Sequence, residues 1–196
     1  MKNIVFDLAG VVVARNEQHC PQHLMDYFYF INSGEPLPEF WNDYDRGTRD
    51  IDSVAQALAQ FRGSTFDVAK SMMLSAVIYQ EQVAPTADLI AKLSAAGYRL
   101  FVLSNMSKEY IAYLRQMPVF KYFEAEIVSC EVGLIKPQPE IYRLLLDRFV
   151  LDASQTMFID DRLENTIAAQ KQGIVPFHFN RYNAVESCQK LEQMLL

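Results

Sequence analysis

Short apolar runs and amphipathic stretches alternate along most of the chain, separated by polar breaks that often hold Gly or Pro. Four runs are rich in β-branched and aromatic residues: Ile4 to Phe6, Leu100 to Leu103, Ile127 to Val128 and Met157 to Ile159, with a weaker fifth at Ile174 to Phe177. Such short, unbroken runs suit strands covered on both faces, as in a parallel sheet. Between them, Thr86 to Ala96, Lys108 to Gln116, Pro139 to Phe149 and Leu163 to Gln172 carry apolar residues at helical spacing, and Gly97 and Gly173 stand where a helix C-cap is wanted. Strand and helix in alternation predict an α/β fold, a doubly wound parallel sheet with right-handed crossovers.

The rhythm breaks between Asn16 and Gln82. Helical patterning is present there, at Ile51 to Phe61 and Val68 to Tyr79, without a convincing buried strand, and Glu35-Pro36-Leu37-Pro38 and Arg62-Gly63-Ser64 read as turns. The expected organisation is a core of residues 1–15 and 83–196, with a helical insertion over 16–82. The stretch from Asn183 to Leu196 reads as a closing helix.

Composition narrows the partners. With 51% hydrophobic and 21% charged residues in 196, the chain suits one α/β core plus a small appended unit. A net charge of -6 argues against a nucleic-acid duplex or an anionic membrane as the main partner, while a small anion could still bind locally. Cys20, Cys130 and Cys188 show no Cys-x-x-Cys spacing and are odd in number, which suits a reducing compartment. Asp7 interrupts the apolar N-terminal run that a secretory signal needs, so a cytoplasmic location is expected, as monomer or homodimer.

In an open parallel sheet, ligands gather beyond the carboxyl ends of the strands. There the chain places Asp7 after the first strand, Ser104-Asn105 after the second and Asp160-Asp161 after the fourth, with Lys136 in the loop beyond the third. The set suits phosphoryl transfer: a carboxylate nucleophile, oxygen ligands for a hard cation, an ammonium group against phosphate charge, and Ser and Asn donors at a helix N-terminus.

Taken together, Val5-Phe6-Asp7-Leu8-Ala9-Gly10-Val11, Val102-Leu103-Ser104-Asn105, Ile135-Lys136-Pro137-Gln138-Pro139-Glu140-Ile141-Tyr142 and Phe158-Ile159-Asp160-Asp161 resemble, in order, the four motifs of the haloacid dehalogenase-like superfamily. The likeness covers the whole chain. It implies a Rossmann-like core in which the insertion is a helical cap, and is nearest in flavour to sugar phosphatases acting on glucose 1-phosphate. By this resemblance Asp7 is nucleophile and Mg²⁺ ligand, the Ala9 carbonyl and Asp161 are further ligands, and Asp160 supports the metal directly or through water. Ser104, Asn105 and Lys136 hold the phosphoryl group of a small phosphorylated metabolite.

One departure bears on mechanism. Most phosphatases of this superfamily carry a second aspartate, the general acid, two residues after the nucleophile, and here that position is Ala9. The leaving group could need little protonation, or water or an insertion residue could replace the acid. A 2-haloacid dehalogenase also lacks that aspartate, although it has no reason to gather Asp160 and Asp161 near a nucleophile that attacks carbon. Phosphonoacetaldehyde hydrolase needs an insertion lysine, and Lys70 is the only one available. A catalytically silent protein that binds a phosphorylated ligand or a partner is the reading from a different class.

Other positions carry both a functional and a structural reading. Asp45-Arg46-Gly47-Thr48-Arg49 resembles a cap loop facing the site, so Arg46 and Arg49 are candidate substrate contacts, or parts of a solvated turn. Asn165 could orient a metal-bound water or lie on a helix surface. His19 and His23 have ligand spacing, but Pro21 between them and the absence of a companion acid favour a surface segment. Tyr27, Phe28, Tyr29, Phe30, Phe40 and Trp41 read as the core of the insertion.

Overall fold

The computed structural model describes residues 1–16, 18–33 and 35–196. Its centre is a parallel sheet of five strands: β1 (Asn3–Phe6), β4 (Arg99–Ser104), β5 (Ala125–Val128), β6 (Thr156–Asp160) and β7 (Val175–His178), in the order β5-β4-β1-β6-β7. β1 is central, with Ile4 aligned between Leu100 and Met157 and Phe6 between Val102 and Ile159. All five runs expected to form strands do so.

Residues alternate between two apolar layers, as a pleated strand requires. Ile4, Phe6, Leu100, Val102, Met157 and Ile159 face α5 (Ala84–Ala95), α6 (Lys108–Leu114) and α10 (Ala184–Leu195) through Leu89, Ile111 and Leu191. Val5, Phe101, Leu103 and Phe158 face the other way, toward Ile141 and Leu145 of α8 (Pro139–Arg148) and Ala169 of α9 (Leu163–Gln170). Both faces are covered. That is why these runs contain no polar alternation to read.

Among the described residues, four α-helices lie in the insertion: α1 (Gln22–Tyr27), α2 (Glu39–Arg46), α3 (Ile51–Arg62) and α4 (Phe66–Ile78). The Asp50 and Thr65 side chains cap α3 and α4 by accepting the N–H groups of Ser53 and Val68. Phe28, Phe30, Trp41 and Tyr44 form an aromatic chain inside it, the Phe28–Phe30 pair tilted and the Phe30–Trp41 and Trp41–Tyr44 pairs edge-on.

The chain enters and leaves the insertion through a ribbon that the hydrophobic pattern did not predict. β2 (Val13–Arg15) pairs antiparallel with β3 (Gln80–Gln82), Val13 opposite Gln82 and Arg15 opposite Gln80. Three residues are too few to show a period, and Gln80-Glu81-Gln82 has no apolar side chain, so only the partner strand makes it a strand. Among the described residues, no helix is long and apolar enough to cross a membrane.

Candidate active site

β1 delivers Asp7 to the carboxyl edge of the sheet, where the chain turns sharply. The N–H groups of Val11, Val12 and Val13 all point to the Leu8 carbonyl, and Gly10 N–H donates to the Val13 carbonyl. Gly10 has φ of 83°, and a Cβ there would lie 2.6 Å from Asp161 Oδ2, so only glycine lets Asp161 approach this loop.

Asp7 is buried and its Oδ1 takes three donors: the Leu8 N–H at 2.7 Å, the Ser104 hydroxyl at 3.0 Å and the Lys136 ammonium at 2.9 Å. Oδ2 receives no hydrogen bond from the described residues. Lys136 is equally sealed, and its other protons go to Asp160 Oδ2 at 2.7 Å and the Leu103 carbonyl at 3.0 Å. Its loop is clamped by Asn105, whose amide donates to the Lys136 carbonyl at 2.9 Å and accepts the Lys136 N–H at 2.7 Å.

Asp160, with no exposed surface, is held on every side: Arg162 N–H donates to Oδ1 at 2.8 Å, and the Asn165 amide reaches both oxygens at 3.1 and 3.0 Å. Asp161 opens toward the cavity and accepts Arg181 Nη1 at 3.1 Å. Oxygens of Asp7, Asp160 and Asp161 lie within 4.8 Å of one another, the only such group of potential metal ligands among the described residues.

These three carboxylates face the cations of Lys136 and Arg181. Burial is the main influence pushing the Asp7 carboxyl upward, Lys136 pulls the other way, and the charges of Asp160 and Asp161 add to the rise. Asp161 is also raised, by burial first and then by Asp160. Burial works against the Lys136 ammonium, but Asp160 and Asp7 more than offset it and leave the lysine charged. Such a site is short of positive charge, and its all-oxygen donor set fits a hard divalent cation.

A cavity of about 450 Å³ opens over this cluster. Asp7, Ala9, Lys136 and Asp161 form its core wall, while the insertion lines it with Met25, Ile31, Leu37, Trp41 and Asp45. The C-terminal end of α2 is tied down: Ser129 Oγ donates to the Asp45 carbonyl, Tyr44 OH donates to Glu109 at 2.7 Å, and a Cβ on Gly47 would lie 2.5 Å from the Cys130 carbonyl.

Asp7, Ala9, Ser104, Asn105, Lys136, Asp160 and Asp161 thus come together. Ser104 and Asn105, expected to bond phosphate through their side chains, are bonded to Asp7 and the Lys136 backbone. Asn165 is buried against Asp160. Arg46 and Arg49 do not line the cavity; both turn to Asp43, at 2.8 and 3.3 Å, because Arg46 shares its helix face and Arg49 folds back over the helix end. Lys70 pairs with Asp52 at 2.6 Å, outside the cavity, and His19 with Glu81 at 2.7 Å beside the ribbon.

Two residues escaped the sequence reading. Asp45 belongs to the segment singled out for its arginines and stands in the last turn of α2, and Arg181 lies just beyond the weak fifth strand, where the strand-end rule already pointed.

A family model described as haloacid dehalogenase-like hydrolase matches residues 1–173. A sesquiterpene phosphatase of Aspergillus oryzae is 27% identical over 196 residues, 99% of this chain and 96% of its own length. An (S)-2-haloacid dehalogenase of Burkholderia cepacia is 25% identical over 161 residues, 82% of this chain and 67% of its own. The chain also matches a bifunctional epoxide hydrolase of Rattus norvegicus, at 29% identity over 96 residues and 46% of this chain, but spans 17% of that protein. Among solved structures, a HAD family enzyme from Bacteroides thetaiotaomicron in complex with magnesium and inorganic phosphate shares the fold, with a TM-score of 0.72 at 23% identity, covering 92% of this chain and 95% of that one.

Proposed function

The chain belongs to the haloacid dehalogenase-like hydrolase family, and on that footing we propose that it is a Mg²⁺-dependent phosphatase in which Asp7 attacks the phosphorus of a small phosphate monoester. The observation that carries this reading is the meeting of Asp7, Asp160 and Asp161, with ligand oxygens within 4.8 Å of one another and the first two sharing one buried ammonium. Attack on carbon, as in a dehalogenase, gains nothing from three crowded carboxylates.

Asp7, Asp161 and the Ala9 carbonyl would hold Mg²⁺ directly, and Asp160 through water, since both its oxygens already accept protein donors. The ion supplies the positive charge that lets a phosphate approach a carboxylate. Ser104, Leu8 and Lys136 fix the Asp7 carboxylate for in-line attack through Oδ1, leaving Oδ2 without a protein donor. Lys136 neutralises charge as the aspartyl-phosphate forms and as water cleaves it.

The sequence resemblance implies a sugar phosphate. Met25, Ile31, Leu37 and Trp41 give the insertion wall an apolar portion beside Asn42, Tyr44 and Asp45, and the relative aligned end to end is named a sesquiterpene phosphatase, so an ester of an apolar alcohol is the favoured substrate class.

The test is phosphate release from farnesyl phosphate, glucose 1-phosphate and p-nitrophenyl phosphate, with and without Mg²⁺, beside halide release from a 2-haloacid. Metal-dependent phosphate release, reduced at least about 10³-fold in Asp7→Asn, is expected. Halide release without metal, or silence on every ester, overturns the reading.

A further inference from the structure

Asp7 can take the phosphoryl group, but the position two residues on, from which a carboxyl could serve the departing alcohol, is Ala9, and the core's Glu164 at the cavity wall is turned to Arg162 at 3.8 Å. Among the described residues, the opposite wall brings in one carboxyl group, that of Asp45. Its backbone is fastened to the core: the Ser129 hydroxyl that donates to its carbonyl itself accepts the Met106 N–H at 2.9 Å, and Gly47 packs on Cys130 two residues later. Its side chain, by contrast, has neither hydrogen bond nor salt bridge among the described residues. A carboxyl group set on an anchored backbone, uncommitted and facing the nucleophile's cavity, is placed for proton transfer.

We propose that Asp45 is the general acid and base of this site, replacing the carboxylate missing at Ala9; the proposal rests on the phosphatase reading. In the first step an Asp7 oxygen bonds to phosphorus and the phosphorus–alcohol bond breaks. Its electron pair goes to the alcohol oxygen, which takes the Asp45 proton. In the second, ionised Asp45 takes a proton from water as the water oxygen bonds to phosphorus. The Asp7–phosphorus link breaks with its electrons returning to the carboxylate, and inorganic phosphate leaves.

The charged groups that act on Asp45 suit both halves of this cycle. Arg162 at the start of α9 and Lys136 favour the ionised form, while Asp7 favours the protonated one, and Tyr110 of α6 and Cys130 of α7 (Ser129–Val132) are the further titratable groups that interact with it. Burial is the strongest influence and pushes the carboxyl up to about 7, where both forms are populated near neutral pH.

The experiment compares wild type, Asp45→Asn and Asp45→Glu on p-nitrophenyl phosphate, whose leaving group needs no acid, and on phenyl phosphate, whose leaving group does. In Asp45→Asn, kcat/KM for phenyl phosphate should fall about 10²-fold or more, and that for p-nitrophenyl phosphate much less. On p-nitrophenyl phosphate kcat should drop behind a stoichiometric burst, because the second step has lost its base. The decline of kcat/KM for phenyl phosphate above neutral pH should vanish, and Asp45→Glu should restore part of the rate. Equal losses on the two esters, or no loss, overturn the proposal. A wild type inactive on p-nitrophenyl phosphate instead sinks the phosphatase reading, and this proposal with it.

Discussion

The Lys136 ammonium nitrogen lies 2.9 Å from Asp7 Oδ1, and neither side chain has appreciable contact with solvent. Their approach is enforced from behind, where Asn105 grips the Lys136 backbone and Asp160 takes a second ammonium proton. The lysine is therefore a structural counter-ion as well as a group in the proposed reaction.

Lys136→Met should leave Asp7 and Asp160 buried without their cation. Breaking such a pair costs about 3 to 5 kcal/mol, and the loss should be smaller in acid, where the stranded carboxyls can protonate. Urea denaturation near pH 5 and pH 8 checks this, and an equal loss at both pH values would contradict it.

Mg²⁺ should stabilise the protein by relieving repulsion among Asp7, Asp160 and Asp161. At about a hundredfold excess over Kd, the linkage is worth about 2.7 kcal/mol. The melting temperature of chelator-treated protein should rise with added Mg²⁺, and Asp161→Asn should lose most of that rise.

Asp45 makes stability depend on pH in a definite direction. Its folded-state pKa, pushed up to about 7, exceeds the unfolded value of about 4, so its stabilising contribution is complete in acid and is lost as pH rises through about 7. Asp45→Asn removes that loss. The variant should be more stable than wild type by about 1 to 3 kcal/mol near pH 8, with the gap closing toward pH 4. A gap independent of pH would show that the carboxyl is not held protonated by its surroundings.

Ala9 is exposed at the cavity, so a carboxylate fits there without displacing a neighbour from the core. With Asp45 intact, Ala9→Asp should change phenyl phosphate turnover by less than about 10-fold. In the Asp45→Asn background it should recover most of the lost rate, as measured by steady-state kinetics. A large gain in the single variant would mean that no acid operates in the wild type.

Much of this protein is local in its coding. Unbroken apolar runs determined five strands, helical spacing determined the elements between them, and the residues next to the strand ends determined which side chains share the sheet's carboxyl edge. Parallel strands all end at one edge, so Asp7, Ser104, Asp160 and Asp161 had to meet.

The partners were decided only by the folded chain. That Ser104 bonds Asp7 across 97 residues, that Asn105 holds the Lys136 backbone, that Arg46 and Arg49 turn to Asp43, and that Asp45 enters the cavity all depend on approaches through space. The β2–β3 ribbon is the same case, because Gln80-Glu81-Gln82 becomes a strand only where Val13-Ala14-Arg15 is available to pair. Periodicity records which face a residue occupies, whereas a hydrogen bond is fixed by the group that arrives opposite it.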